Sequence, residues 1–139
     1  MIFVDTSYLL AILDPRDALH DRALDWARHV KEGLLGSEYV LWEVVNACSK
    51  PINRPRIQAL VAHLRASPQF EIVAASADMF EAGLVLHAER SDKEWSLTDC
   101  ISFLIMQKRG LTQALTFDLH FEQAGFEALL RHDPDQGNS

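Results

Sequence analysis

The stretch Ile2-Phe3-Val4-Asp5-Thr6-Ser7-Tyr8-Leu9-Leu10-Ala11-Ile12-Leu13-Asp14-Pro15 decides how the rest of the chain is read. Ile2-Phe3-Val4 is a short apolar, β-favouring run of the sort buried in a parallel sheet. An acid and two hydroxyl residues end it. Residues 8–13 then read as a short helix stopped by Asp14-Pro15. A buried strand passing into a helix is the opening of an α/β unit.

The alternation continues downstream. Asp17 suits the N-cap of a helix over residues 18–32, with Leu19, Ala23, Trp26, Ala27 and Val30 at helical spacing and Gly33 at its end. Leu34-Leu35 leads to Ser37, the N-cap of a helix carrying Tyr39-Val40-Leu41-Trp42-Glu43-Val44-Val45, which Pro51 stops. Pro55 fits the first turn of a helix running to Arg65, and Phe70-Glu71-Ile72-Val73 reads as a second or third strand. Ser76 caps a helix over residues 77–88. Ser96-Leu97-Thr98-Asp99 is a capping box with Asp in place of Glu, opening a helix that ends at Lys108-Arg109-Gly110. Ala114-Leu115-Thr116-Phe117-Asp118 reads as a strand, followed by a short helix and a last strand near residues 126–130. Strands alternating with helices imply an α/β fold, a three-layer α/β/α domain with a central parallel sheet. Residues 1–131 form the expected domain and 132–139 a polar C-terminal tail.

The 139 residues fit one domain able to bury a core without disulfides or structural zinc. Cys48 and Cys100 fall in apolar helical contexts and read as reduced core thiols. The N-terminus has no basic region, and Asp14-Pro15 interrupts the apolar run, so the chain reads as soluble, cytoplasmic and without a membrane span. Lys and Arg total 13 against 20 Asp and Glu, for a net charge of −7. That balance excludes a protein that coats nucleic acid by bulk attraction. The charge is uneven, however. Between Glu43 and Glu71 there is no acid, while Lys50, Arg54, Arg56 and Arg65 all occur; Arg54 and Arg56 are the best candidates for phosphate contacts.

Open α/β sheets bind ligands beyond the carboxyl ends of their strands. Asp5 and Asp118 close strands there, Asp99 lies in a helical first turn, and Glu43 interrupts an apolar helical face made by Val40, Val44 and Ala47. Asp5, Asp99 and Asp118 also suit helix starts, so for these three a capping role stays open. Glu43 has no basic residue at i±4, and a carboxylate on a buried face needs a partner. If the acids converge, one like-charge pair about 4 Å apart costs about 4 kcal/mol at an effective dielectric of about 20. Protons, cationic side chains or a metal must then neutralise the cluster. An all-oxygen donor set points to Mg²⁺ or Mn²⁺ rather than zinc, and such a cation activates water for attack on a phosphoryl group.

Several segments, in this order and spacing, resemble the PIN-domain family. They are Phe3-Val4-Asp5-Thr6-Ser7-Tyr8-Leu9-Leu10-Ala11, the Asp14/Asp17/His20/Ala23 stretch, Ser37-Glu38-Tyr39-Val40-Leu41-Trp42-Glu43-Val44, Ser96-Leu97-Thr98-Asp99, and Ala114-Leu115-Thr116-Phe117-Asp118 with Phe121, Gly125 and Phe126. Within that family the chain resembles the VapC-like toxin ribonucleases of bacterial toxin–antitoxin pairs, over residues 2–130. The resemblance implies a metal-dependent endoribonuclease site with Asp5, Glu43, Asp99 and Asp118 as its catalytic and metal-holding acids. It further implies supporting hydroxyls at Thr6 and Thr116, Mg²⁺ or Mn²⁺ as cofactor, an RNA substrate, a small antitoxin partner and a homodimer. Many relatives carry a further acid where this chain has His120, which leaves the number of metal ions, one or two, open.

The six histidines show no paired ligand spacing, and His120 reads as a surface residue. Trp26, Trp42 and Trp95 read as core or partner-facing residues; an exposed apolar patch on the early helices would suit an antitoxin segment. Three alternatives compete: a PIN-type RNA-processing nuclease without an antitoxin, a haloacid-dehalogenase-like phosphatase, and a non-catalytic binding domain. The phosphatase would want Asp-x-Asp after the first strand, where this chain has Asp5-Thr6-Ser7.

Overall fold

The structure, a computed structural model, describes residues 1–134. Five strands form one all-parallel sheet in the order β3-β2-β1-β4-β5: β1 (Ile2–Val4), β2 (Leu34–Ser37), β3 (Phe70–Val73), β4 (Gln113–Leu115) and β5 (Glu127–Ala128). Seven α-helices connect them: α1 (Thr6–Leu13), α2 (His20–His29), α3 (Glu38–Ala47), α4 (Arg54–Ala66), α5 (Ala77–Glu89), α6 (Leu97–Arg109) and α7 (Leu119–Gln123). With this strand order, the right-handed rule for parallel crossovers assigns α1 to α4 to one face and, because the chain turns back to β4 and β5, α5 to α7 to the other. The packing follows that division: α1 meets α2 and α3, α3 meets α4, and α5 meets α6. The expected three-layer α/β/α architecture is what forms.

Side-chain caps set several helix starts. Ser37, Ser76 and Ser96 each accept the N–H three residues on, and Ser96 with Asp99 completes the reciprocal capping box. Gly110 ends α6 in the left-handed conformation at φ 67°. Other boundaries differ from the sequence reading. Asp17 does not cap α2; its carboxylate accepts the Leu19 N–H and holds a turn, so the helix starts at His20. The expected last strand shortens to Glu127–Ala128 and passes into a 3-10 turn, where the Leu130 N–H bonds the Thr116 carbonyl. Leu34-Leu35, read as a lead-in to Ser37, is the start of β2. Of the expected tail, His132 accepts the Trp26 indole N–H at 2.9 Å, Asp133 pairs with Arg22 at 3.2 Å, and Pro134 is buried. Residues 135–139 lie outside the described residues.

The core runs through both faces of the sheet, with Phe3, Val4, Leu35 and Leu115 fully buried beneath the helices. Phe103 on α6 meets Trp95 and Phe121 edge-on at 4.9 Å. Cys100 is a buried free thiol, while Cys48 is only half-buried. The α5–α6 contact depends on Gly83: a Cβ there would lie 2.5 Å from Ile101 Cγ1. Gly83→Ala is therefore expected to lower stability by about 1–3 kcal/mol through overpacking, as read from urea unfolding.

Candidate active site

The chain reverses direction across the sheet between β1 and β4, and this brings the carboxyl ends of two strands side by side. Open α/β sheets hold their ligands at such a switch point. Asp5 leaves β1 there. Thr116 leaves the ladder after Leu115, which makes β4 shorter than the expected 114–118. Its hydroxyl donates to Asp5 Oδ2 at 2.8 Å and accepts the Asp118 N–H at 3.0 Å. Ser7 Oγ accepts the Phe117 N–H at 3.1 Å and lies 3.4 Å from Asp5 Oδ2. These bonds clamp the start of α1 to the segment after β4 and aim the Asp5 carboxylate.

Asp5 is only 5% exposed, and although it occupies the N-cap position of α1 its side chain makes no cap bond. A capping role is thereby removed for this residue. Burial pushes its pKa from 3.8 up to about 6; the bonds from Thr116 and the Thr6 N–H oppose that rise, and the charges of Asp99 and Glu43 add to it. Glu43 accepts the Thr6 hydroxyl at 2.6 Å. It is half-buried rather than buried, because its helical neighbour Ala47 is exposed and that face opens onto a cleft.

Asp99 and Asp118 do cap helices, but each with one oxygen. Asp99 Oδ2 accepts the Ser96 N–H at 3.1 Å and lies 2.9 Å from His120 Nδ1, and Asp118 Oδ1 accepts the His120 N–H at 2.9 Å. Among the described residues neither second oxygen has a protein hydrogen bond, so capping and site formation are compatible. His120, expected at the surface, is half-buried between these two acids. Burial alone would lower its pKa, but the Asp99 hydrogen bond and the Asp118 and Asp99 charges raise it overall.

Asp5, Thr6, Glu43, Asp99, Asp118 and His120 line one open cleft of about 350 Å³, together with Ser7, Leu10, Glu94 and Ser96. Ligand atoms of Asp99, Asp118 and His120 lie within 4.8 Å of one another. Among the described residues no Lys or Arg pairs with any of the four acids. A nearly buried carboxylate beside two like charges, with no Lys or Arg among the described residues to offset them and His120 turned to Asp99 and Asp118, fits a divalent cation.

Arg54 and Arg56 are not brought into this cleft. Arg54 Nε donates to the Ser49 carbonyl at 2.8 Å, and the Arg56 guanidinium donates to the Leu13 carbonyl. Arg56 instead lines an adjoining pocket that shares Leu10 with the cleft. Sequence reasoning did not select Ser7, Glu94 or Ser96, and it misjudged His120. Spacing to Asp118 was the signal for His120; only the fold brings Glu94 to the cleft.

The PIN domain family model matches residues 2–127. A curated relative, the 23S rRNA-specific endonuclease VapC20 of Mycobacterium tuberculosis, is 30% identical over 126 residues, 91% of this chain and 95% of the relative. The crystal structure of M. tuberculosis VapC20, described as a sarcin-ricin loop cleaving toxin, superposes with a TM-score of 0.83 at 28% identity, covering 91% of this chain and 96% of that one. FitAcB from Neisseria gonorrhoeae shares the fold at a TM-score of 0.69 and 20% identity, covering 95% and 99% of the two chains. The sheet order, the acids at its switch point and these matches over nearly the whole length agree, and the chain belongs to the PIN-domain family.

Proposed function

We propose that this protein is a metal-dependent endoribonuclease and the toxin of a toxin–antitoxin pair, acting in the cytoplasm on a structured ribosomal RNA loop. The observation that carries this reading is the convergence of Asp5, Glu43, Asp99 and Asp118 on one cleft where, among the described residues, His120 is the one basic side chain set against four acids. The names of the VapC20 relatives and their near-complete coverage support the substrate class. The four acids would hold Mg²⁺ or Mn²⁺; when bound, the cation supplies a water activated for attack and stabilises charge on the phosphoryl group. Thr116 and Ser7 orient Asp5, Thr6 orients Glu43, and His120 holds Asp99 in place. Glu94 lines the same cleft beside these acids.

An apolar surface on α3 and α4 is the proposed seat of an antitoxin segment. Trp42 is 68% exposed, and a groove of about 370 Å³ between α3 and α4 is lined by Leu41, Trp42, Val45 and Val61, one helical position from Glu43. A homodimer is also part of this reading, supported by the exposed Phe80, Leu84 and Val85 on α5 and checked by light scattering. Among the described residues no helix is long and apolar enough to cross a membrane.

Incubating antitoxin-free protein with total RNA and mapping the ends tests the function: discrete cuts are expected, and intact RNA would contradict it. Thr116→Val removes a donor to Asp5 and the acceptor of the Asp118 N–H while keeping the volume. It is expected to weaken divalent-cation binding about 10–100-fold in calorimetric titration.

A further inference from the structure

We propose that the pocket beside the acidic cleft, between the end of α1 and the start of α4, receives one base of the RNA strand next to the bond that is cut, and that Asn53 reads the edge of that base. The inference rests on the nuclease reading above and goes beyond it by naming a specificity-determining residue. The pocket holds about 250 Å³; its apolar lining includes Leu10, Leu13 and Ile57, and its polar lining is Asp14, Arg16, Asp17, Asn53 and Arg56, two acids offset by two arginines around one neutral amide. Leu10 also lines the acidic cleft, so a strand held by its phosphate at the acids can turn its neighbouring base into this pocket.

The polar groups here have spare bonding capacity. Asn53 occupies the N-cap position of α4, where such a side chain ordinarily accepts a backbone N–H, yet it makes no cap bond, and Pro55 has removed one of the N–H groups in that turn. Its amide therefore offers both a donor and an acceptor to a ligand. Asp17 uses Oδ1 on the Leu19 N–H and keeps its second oxygen. Arg16, Lys50 and Arg56 outnumber Asp14 around the adjoining hollow, Arg16 pairing with that acid at 3.3 Å, and Ile52, 82% exposed, stands beside them. Cations at the rim with an apolar lip suit a nucleotide, its phosphates outside and its base inside. Single-stranded bases splayed from a loop are read in this manner, by hydrogen bonds on their edges. The net positive rim, three cations against Asp14, favours an RNA strand over an antitoxin peptide as occupant.

The test uses short oligoribonucleotides containing the mapped cut site, varied to each base and to an abasic residue at the positions flanking the cut. Wild type is expected to prefer one base at one flanking position by about tenfold in kcat/KM. Asn53→Ala, which removes no side-chain hydrogen bond among the described residues, is expected to melt like wild type, to lose that preference and to cut the abasic substrate as wild type does. Asn53→Asp, which exchanges the donor for an acceptor, is expected to move the preference to a different base. The proposal is overturned if Asn53→Ala keeps the wild-type preference at every position, or if it slows the abasic substrate as much as the others. It is equally overturned if Asn53→Ala weakens only antitoxin binding. Wild-type protein that cuts no oligonucleotide would instead overturn the nuclease reading itself.

Discussion

Asp99→Asn is expected to reduce RNA cleavage at least about hundredfold without unfolding the protein. The substituted side chain keeps an oxygen for the Ser96 N–H, so the capping box at the start of α6 can still form. What it loses is a formal charge on the one side chain that joins the helix start to His120 and to the cleft. Outer partners of a bound metal commonly contribute 10–100-fold, and a group offering its own oxygen to the cation lies at or beyond the upper end. The measurement is the single-turnover rate on one labelled oligoribonucleotide, with circular dichroism as the check on folding. Wild-type cutting by a folded Asp99→Asn protein would remove Asp99 from the catalytic set.

Asp5→Asn is expected to do two opposite things: abolish activity and make the metal-free protein more stable at neutral pH. Burial raises the Asp5 pKa from 3.8 to about 6, so above pH 6 the folded state carries an ionised carboxylate that it holds less well than the unfolded chain does. The shift corresponds to a cost of about 3 kcal/mol, present in full above about pH 6 and relieved as pH falls from there toward 4, where the folded state takes up a proton. In chelator, wild type should therefore gain stability from this group on acidification through that window. Asp5→Asn should be the more stable protein at pH 8 and lose its advantage near pH 4. Added divalent cation reverses the order, because it favours the ionised form that only wild type has. Urea unfolding with and without metal at the two pH values reads all four states. Equal stabilities at pH 8 in chelator would show that the buried charge is not a burden.

The fold was legible because its signals are local. The strand at Ile2-Phe3-Val4, the serine caps at positions 37, 76 and 96, and Gly110 each act within one turn of chain. The errors arose where tertiary bonds compete with local pattern. Thr116 abandons β4 for a bond to Asp5, a partner 111 residues away, and Asp17 holds a turn in place of a helix start. Acids at strand ends could be read as a cluster because sheet topology dictates where such ends meet. The capping question could not be decided from sequence, because it turned on individual oxygens: Asp99 and Asp118 cap with one and keep the other, whereas Asp5 caps with neither. Charge marks Arg54 and Arg56 as phosphate contacts but does not reveal their place: both guanidinium groups bond backbone carbonyls outside the acidic cleft, and Arg56 lines the adjoining pocket instead.

The negative net charge of −7, at first an argument against nucleic acid, is concentrated at the site, since five acids, Asp5, Glu43, Glu94, Asp99 and Asp118, line the one cleft. A cation bound among them would turn that local potential toward a phosphate backbone. The central claim is thus metal dependence, and one measurement addresses it directly. Protein freed of metal by chelator and gel filtration is mixed with the mapped RNA, and Mg²⁺ or Mn²⁺ is then titrated in. The account predicts no cutting before the addition, followed by cleavage at the same bonds that rises with the occupancy measured by calorimetry. Cleavage at full rate in the metal-free sample would contradict it.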